Sequence, residues 1–190
     1  DYRKYLEIGV KGLRVGYSAT LGYARVDADV ATLAEQGANA FSTLGAQVEA
    51  VDLKLDDSIS MMQPLWAVAL ALAVAPMSPA QRALCDPGML ELAEQGFKLS
   101  AIEYRQLERA RDAFGRRMNG LHQQYDLLIT PQLATTAFAA GHEVPPGSAL
   151  KHWWQWSPFT YPFNLTQQPA ATVPCGFAAN GLPVAVQIVG

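Results

Sequence analysis

The feature that most constrains this chain lies between residues 13 and 53, where strand, helix and strand signals follow one another within about 40 residues. Leu13-Arg14-Val15-Gly16-Tyr17 is a short apolar run of the kind that fills a buried strand. Asp27 is placed to cap a helix, and apolar residues then recur at Val30, Leu33, Ala34, Ala38, Phe41 and Leu44, the spacing of one buried helical face. Gly45 ends that pattern, and Gln47 to Leu53 reads as a second strand. A unit of this size crosses over right-handed and lays its strands parallel. The expected class is α/β, a mixed, largely parallel sheet flanked by helices.

Ser58 to Ala75 is rich in alanine and leucine and predicts a helix buried nearly all round, with a kink or a fresh start at Pro64. Ser100 to about Gln124 predicts the clearest helix, opened by the capping box Ser100-Ala-Ile-Glu103. Leu107, Ala110, Phe114, Met118 and Leu121 form its apolar face, and Arg105, Arg109, Arg116 and Arg117 mark a solvated one. After Tyr125 the texture changes, since eight of the 12 prolines lie from Pro131 onward. Short strands are expected at 126–130, 170–174 and 183–188, with an Asn180-Gly181 turn joining the last two. Between them, Gln132 to Thr160 is irregular and holds Trp153, Trp154 and Trp156.

Composition removes several function classes. With 14 basic and 17 acidic residues the net charge is −3, so no general attraction to nucleic acid or an anionic membrane exists. The longest uncharged apolar run, Leu65 to Ala75, falls well short of the roughly 20 residues of a membrane span. Cys85 and Cys175 are too few for a disulfide framework and wrongly spaced for zinc, which points to a reducing, cytoplasmic setting. Asp1 opens the chain without a methionine or a secretion signal, so residues 1–190 read as one unit, a piece of something longer.

No complete set of nucleophile, base and anion-stabilising group is visible. Cys175 follows a strand and fits a small buried side chain, His142 and His152 fall in a surface loop, and His122 stands where it can meet helix-end carbonyls. Neither a dinucleotide-binding glycine fingerprint nor a P-loop occurs, and no metal or organic cofactor is expected. The tryptophan cluster is open to three readings: the wall of a ligand pocket, core packing, or a partner surface.

Five motifs in order carry a resemblance. Gly12-Leu-Arg-Val-Gly-Tyr-Ser18 with Val26-Asp27-Ala-Asp29-Val30 resembles the "GLRIGYS… PVDPEV" segment of the amidase signature family, and Tyr125-Asp-Leu-Leu-Ile-Thr-Pro131 resembles its "YDLLLTPT". Phe159-Thr-Tyr-Pro-Phe-Asn-Leu-Thr-Gln-Gln-Pro-Ala170 is similar to "FTxPFNLTGQPA". Val173-Pro-Cys-Gly-Phe177 and Gly181-Leu-Pro-Val-Ala-Val-Gln-Ile-Val-Gly190 are similar to "VPCGF… DGLPVGLQIVG". The resemblance is to the C-terminal part of that catalytic domain and covers almost the whole chain.

In such amidases a lysine activates a serine through a second serine, and a glycine-serine-rich stretch supplies the oxyanion donors. Those parts lie in the N-terminal half and are absent here, so the resemblance implies an amide-hydrolysing parent and an inactive isolated chain with no catalytic residue of its own. What it implies for these residues is recognition of a small-molecule amide. Trp156, Ser157 and Thr160 would lie near substrate, with tryptophans where relatives for polar amides carry charge, so a neutral or aromatic acyl group is expected. Thr130 and Asn164 would line the channel or stabilise turns. Gln167 replaces the family's glycine, so the turn there is expected to be rebuilt or relaxed. The N-terminal half is the expected partner, and without it the bare sheet surface should drive self-association. The alternatives are a non-enzymatic binding or scaffold protein, and an amidotransferase subunit that works on glutamine.

Overall fold

The computed structural model describes residues 2–5, 7–55 and 57–190; Asp1, on which the cut-end reading rests, lies outside them. β1 (Arg14–Tyr17), α1 (Ala28–Thr43) and β2 (Gln47–Ala50) form the expected crossover, with Val15 opposite Val48 in a parallel ladder. Four helices follow, α2 (Asp57–Val74), α3 (Pro79–Arg82), α4 (Pro87–Lys98) and α5 (Ala101–Leu121), and then β3 (Leu127–Pro131). A 3-10 turn at Trp153–Trp156 and the short helix α6 (Tyr161–Thr166) lead into the hairpin of β4 (Ala170–Phe177) and β5 (Pro183–Val189). Gly181 turns that hairpin at φ 78°, as the Asn-Gly pair predicts. The five strands run in the order β2-β1-β3-β5-β4, with β1 parallel to both neighbours and β5 antiparallel to both of its own. This is the mixed, helix-flanked sheet that the sequence predicts.

Strand alternation sorts the core into two layers. Val15, Tyr17, Ile129 and Val186 point to one face and pack on Ala34 and Ala38 of α1. Leu128 and Val189 point to the other, against Phe114 and Met118 of α5, Phe163 of α6 and the fully buried Phe159. The α5 capping box forms as read, Ser100 N–H donating to Glu103 Oε2 at 2.8 Å and Glu103 N–H to Ser100 Oγ at 3.2 Å. Asp27 stands at the N-cap of α1, but its side chain caps nothing. Its carboxylate instead accepts from the Thr135 hydroxyl at 2.7 Å, while its N–H donates to the Ala134 carbonyl at 2.9 Å. A residue read as a local cap is thereby a tether for the chain leaving β3.

Two expectations need correction, and one helix was not foreseen. α2 runs through Pro64 as one helix and is not buried all round, since Ile59 is 43% and Leu72 76% exposed. α4 has no counterpart in the sequence reading, although Asp86 caps it by accepting from Met89 N–H at 2.9 Å and Pro87 takes the first position, where a missing N–H costs nothing. The turn at Gln167 is neither rebuilt nor relaxed. Gln167 adopts φ 58°, ψ 30° as the C-cap of α6, the left-handed conformation that glycine takes without strain. Gln167→Gly is therefore expected to stabilise the protein by about 1 kcal/mol, read as a higher denaturation midpoint in urea at unchanged slope.

Candidate functional site

In sheets of this kind, ligands collect beyond the carboxyl ends of parallel strands. Here that region lies past Tyr17 and Pro131, and two cavities open there. One, of about 390 Å³, is lined by Tyr23, Ala24, Gln63, Ala134, Trp154 and Tyr161, with Arg25 and Asp27 among its wall residues. The other, of about 420 Å³, is lined by Val30, Thr136, Phe138, Val184 and Ala185. Thr135 and Trp156 border both, so Trp156 stands as a partition between them.

The aromatic loop that supplies this partition is fixed by hydrogen bonds at both of its ends. The Tyr23 hydroxyl donates to the Pro158 carbonyl at 2.6 Å. Gln187, 5% exposed on β5, donates from Nε2 to the next carbonyl, that of Phe159, at 3.1 Å and to the Thr130 hydroxyl at 3.3 Å. Two successive carbonyls are thus held by side chains from unrelated elements, each contact contributing on the order of 1 kcal/mol. At the loop's start, the Lys151 and His152 amides both donate to Gln155 Oε1, at 2.7 and 2.9 Å. His152 stacks flat on Trp154 at 4.3 Å, and Trp153 packs edge-on against Trp66 of α2 at 5.0 Å. The Trp156 ring meets Phe138 edge-to-face at 5.7 Å.

The five residues singled out by resemblance fall into three settings. Trp156, Ser157 and Thr160 come together in the loop. Ser157 Oγ donates to the Trp154 carbonyl at 3.2 Å, and Thr160 Oγ1 donates to the Ser157 carbonyl at 2.9 Å, so both hydroxyls have protein acceptors. Thr130 is fully buried and donates to the Pro131 carbonyl at 2.7 Å, and the Gln187 amide bonds both its hydroxyl and the loop. Asn164 lies apart, exposed on α6. Sequence reasoning passed over Tyr23, Gln63, Tyr161 and Gln187. For Gln187 a signal existed, an amide inside the otherwise apolar run Val184-Ala-Val-Gln-Ile-Val189.

Neither cysteine and none of the three histidines lines either cavity. Cys175 is half-buried beside Gly37 of α1, and burial pushes its thiol up, away from the thiolate form. The neighbouring Tyr17 phenol is pushed up to about 12, first by burial and then by the charges of Glu35 and Cys175. Burial likewise raises Tyr161. His142 is exposed and His122 caps α5, with Nδ1 3.2 Å from the Tyr125 carbonyl. No group of three or more His, Cys, Asp or Glu able to hold a metal occurs among the described residues.

Comparison with known proteins agrees with this architecture. An acylamidase of Rhodococcus erythropolis is 32% identical over 184 residues, which is 94% of this chain and 39% of that protein. A glutamyl-tRNA(Gln) amidotransferase chain of Halothermothrix orenii is 36% identical over 87 residues, 46% of this chain and 17% of that one. A bacterial aryl acylamidase of the amidase signature family superposes with a TM-score of 0.79 at 26% identity, covering all of this chain and 42% of its own. The chain thus spans about two fifths of the length of the acylamidases it matches, in their C-terminal part. Its match to the Amidase family extends over residues 1–190, and the chain belongs to that family.

Proposed function

We propose that these 190 residues are the substrate-pocket part of an amide hydrolase, which adds water across an amide C–N bond to release a carboxylate and ammonia or an amine. The observation that carries this reading is the aromatic cavity of about 390 Å³ beyond β3, walled by Trp154, Trp156 and Tyr161 and held in shape by Tyr23 and Gln187. The nucleophile and oxyanion donors would come from the remainder of the parent protein. A neutral or aromatic acyl group suits the aromatic side of the lining, with Trp156, Ser157 and Thr160 shaping its wall and Thr130 and Asn164 acting in support. The purified chain is expected to bind benzamide with quenching of tryptophan emission and to release no aniline from acetanilide. Measurable turnover would overturn the division of labour, and absence of benzamide binding would overturn the pocket assignment.

A second reading has its own support. The amidotransferase relative, together with Arg25 and Asp27 in the cavity wall, fits the carboxylate and ammonium of a glutamine. Glutamine binding tighter than benzamide in the same titration selects this reading.

No helix among the described residues is long and apolar enough to cross a membrane. The net charge of −3 and the two free cysteines support a cytoplasmic setting without nucleic-acid or membrane partners. β4 is an edge strand whose first five residues, Ala170 to Pro174, are exposed and uncharged, with Val173 46% exposed and Phe177 at its end 73% exposed. An edge without charge or protection is a pairing site, for the remainder of the parent in the whole protein and for a second copy in isolation. Light scattering of the isolated chain at millimolar concentration is expected to return a mass above 20.6 kDa; a clean monomer contradicts this.

A further inference from the structure

Trp156 separates two cavities of similar volume and different chemistry. The benzamide-sized cavity has Arg25, Asp27 and Gln63 among its wall residues. In the other, the three polar side chains beside Trp156 each make a hydrogen bond within the protein. Thr135 Oγ1 donates to Asp27, Thr136 Oγ1 accepts from Asn180 Nδ2 at 3.0 Å, and Gln132 Oε1 accepts from Thr172 Oγ1 at 2.6 Å. Trp156 apart, the rest of the wall is apolar, with Val30, Phe138, Val184 and Ala185 among it, and it holds no charged residue. An ionic group placed there would lose its hydration without recompense, whereas a neutral ring would gain by contact.

We propose that this second cavity is an apolar subsite for the amine-side arm of the substrate, an aromatic or alicyclic group, with Trp156 as the wall that keeps it apart from the acyl arm. The proposal rests on the reading of the first cavity as the acyl site. An amide has two arms joined at the reacting carbon, and two adjoining compartments of unlike lining match that asymmetry. The wall is set by geometry on both sides. Phe138 braces the Trp156 ring edge-to-face from within the second cavity, and the carbonyls at Pro158 and Phe159, just beyond it in the chain, are pinned by Tyr23 and Gln187. Trp156 is thereby a specificity-determining residue for both arms.

The test uses the isotope-labelled 190-residue chain with benzamide and aniline as probes, read by methyl and amide NMR shifts. Benzamide is expected to move Ala24 and Ala134, aniline to move Val30 and Val184, and neither to displace the other. Ala137→Trp plugs the second cavity from an exposed position. It should weaken aniline by about tenfold or more and leave benzamide within about twofold. Trp156→Ala should merge the compartments and make the two probes compete. Competition between them in the unaltered chain, or aniline binding undiminished by Ala137→Trp, overturns the subsite. Benzamide failing to move Ala24 and Ala134 overturns the acyl-site reading instead, whatever aniline does at Val184.

Discussion

Gly96→Ala is expected to destabilise the protein by roughly 3 kcal/mol, lowering the melting temperature by about 6–12 °C. Helix propensity alone forecasts the opposite sign, because alanine inside a helix is favoured over glycine by about 1 kcal/mol. Packing decides. A Cβ at position 96 would lie 2.1 Å from the Ala67 carbonyl oxygen of α2 and 2.4 Å from its carbon, backbone atoms that cannot rotate away. α4 and α2 must therefore separate, and with them the surface that holds the aromatic loop, since Ala67 and Leu92 pack on Trp154. Gly115→Ala in α5, where nothing lies within 4 Å of the added carbon, is the control and should stabilise by up to about 1 kcal/mol. Urea melts of the two variants give the signs, and a stabilised Gly96→Ala would show that the helices are not in close contact.

Phe159→Ala should cost about 3–5 kcal/mol, the range for emptying a fully buried aromatic site. Phe159 is 0% exposed in the cluster of Leu128, Phe114, Met118 and Phe163, and its carbonyl is the acceptor for Gln187. The ring thus anchors the tryptophan loop to the sheet from below while Gln187 holds it by the backbone. Loss of the ring is expected to flatten the near-ultraviolet dichroism of the tryptophans before global unfolding. A variant whose stability stays within about 1 kcal/mol of the parent would mean that neighbouring side chains close the void.

What the sequence revealed divides by distance along the chain. The crossover of β1, α1 and β2, the Ser100 cap and the Asn180-Gly181 turn each rest on signals within one short stretch, and each forms where it was read, although β2 stops at Ala50 and not at Leu53. α4 carried local signals as well, but Pro87 and Gly88 look like breakers until the Asp86 cap is recognised. α6 hides behind Pro162 at its second position and an aromatic neighbourhood that carries no period. The site was less legible because its geometry is made by remote pairs. Tyr23 meets Pro158 from 135 residues away, and Asp27 meets Thr135 from 108. Asp27 illustrates the difficulty, for its position is that of a cap and its hydrogen bond is that of a strut. Resemblance named the loop, but only folding shows that Thr130 acts on it through Gln187 and that Asn164 does not share its cavities.

The placement of β3 between β1 and β5 has a kinetic consequence. Arg14 and Asp126, which bond across that junction, are 112 residues apart, so β1 cannot gain its second neighbour until everything between has been made or collapsed. Helices α2, α4 and α5 assemble from local contacts on a fast timescale, whereas a parallel pairing of such long range closes slowly. During that interval the inner edges of β1 and β5 are as open as the outer edge of β4. The yield of correctly folded protein is then set by a race between closure within one chain and pairing between chains, a race that dilution favours and crowding opposes.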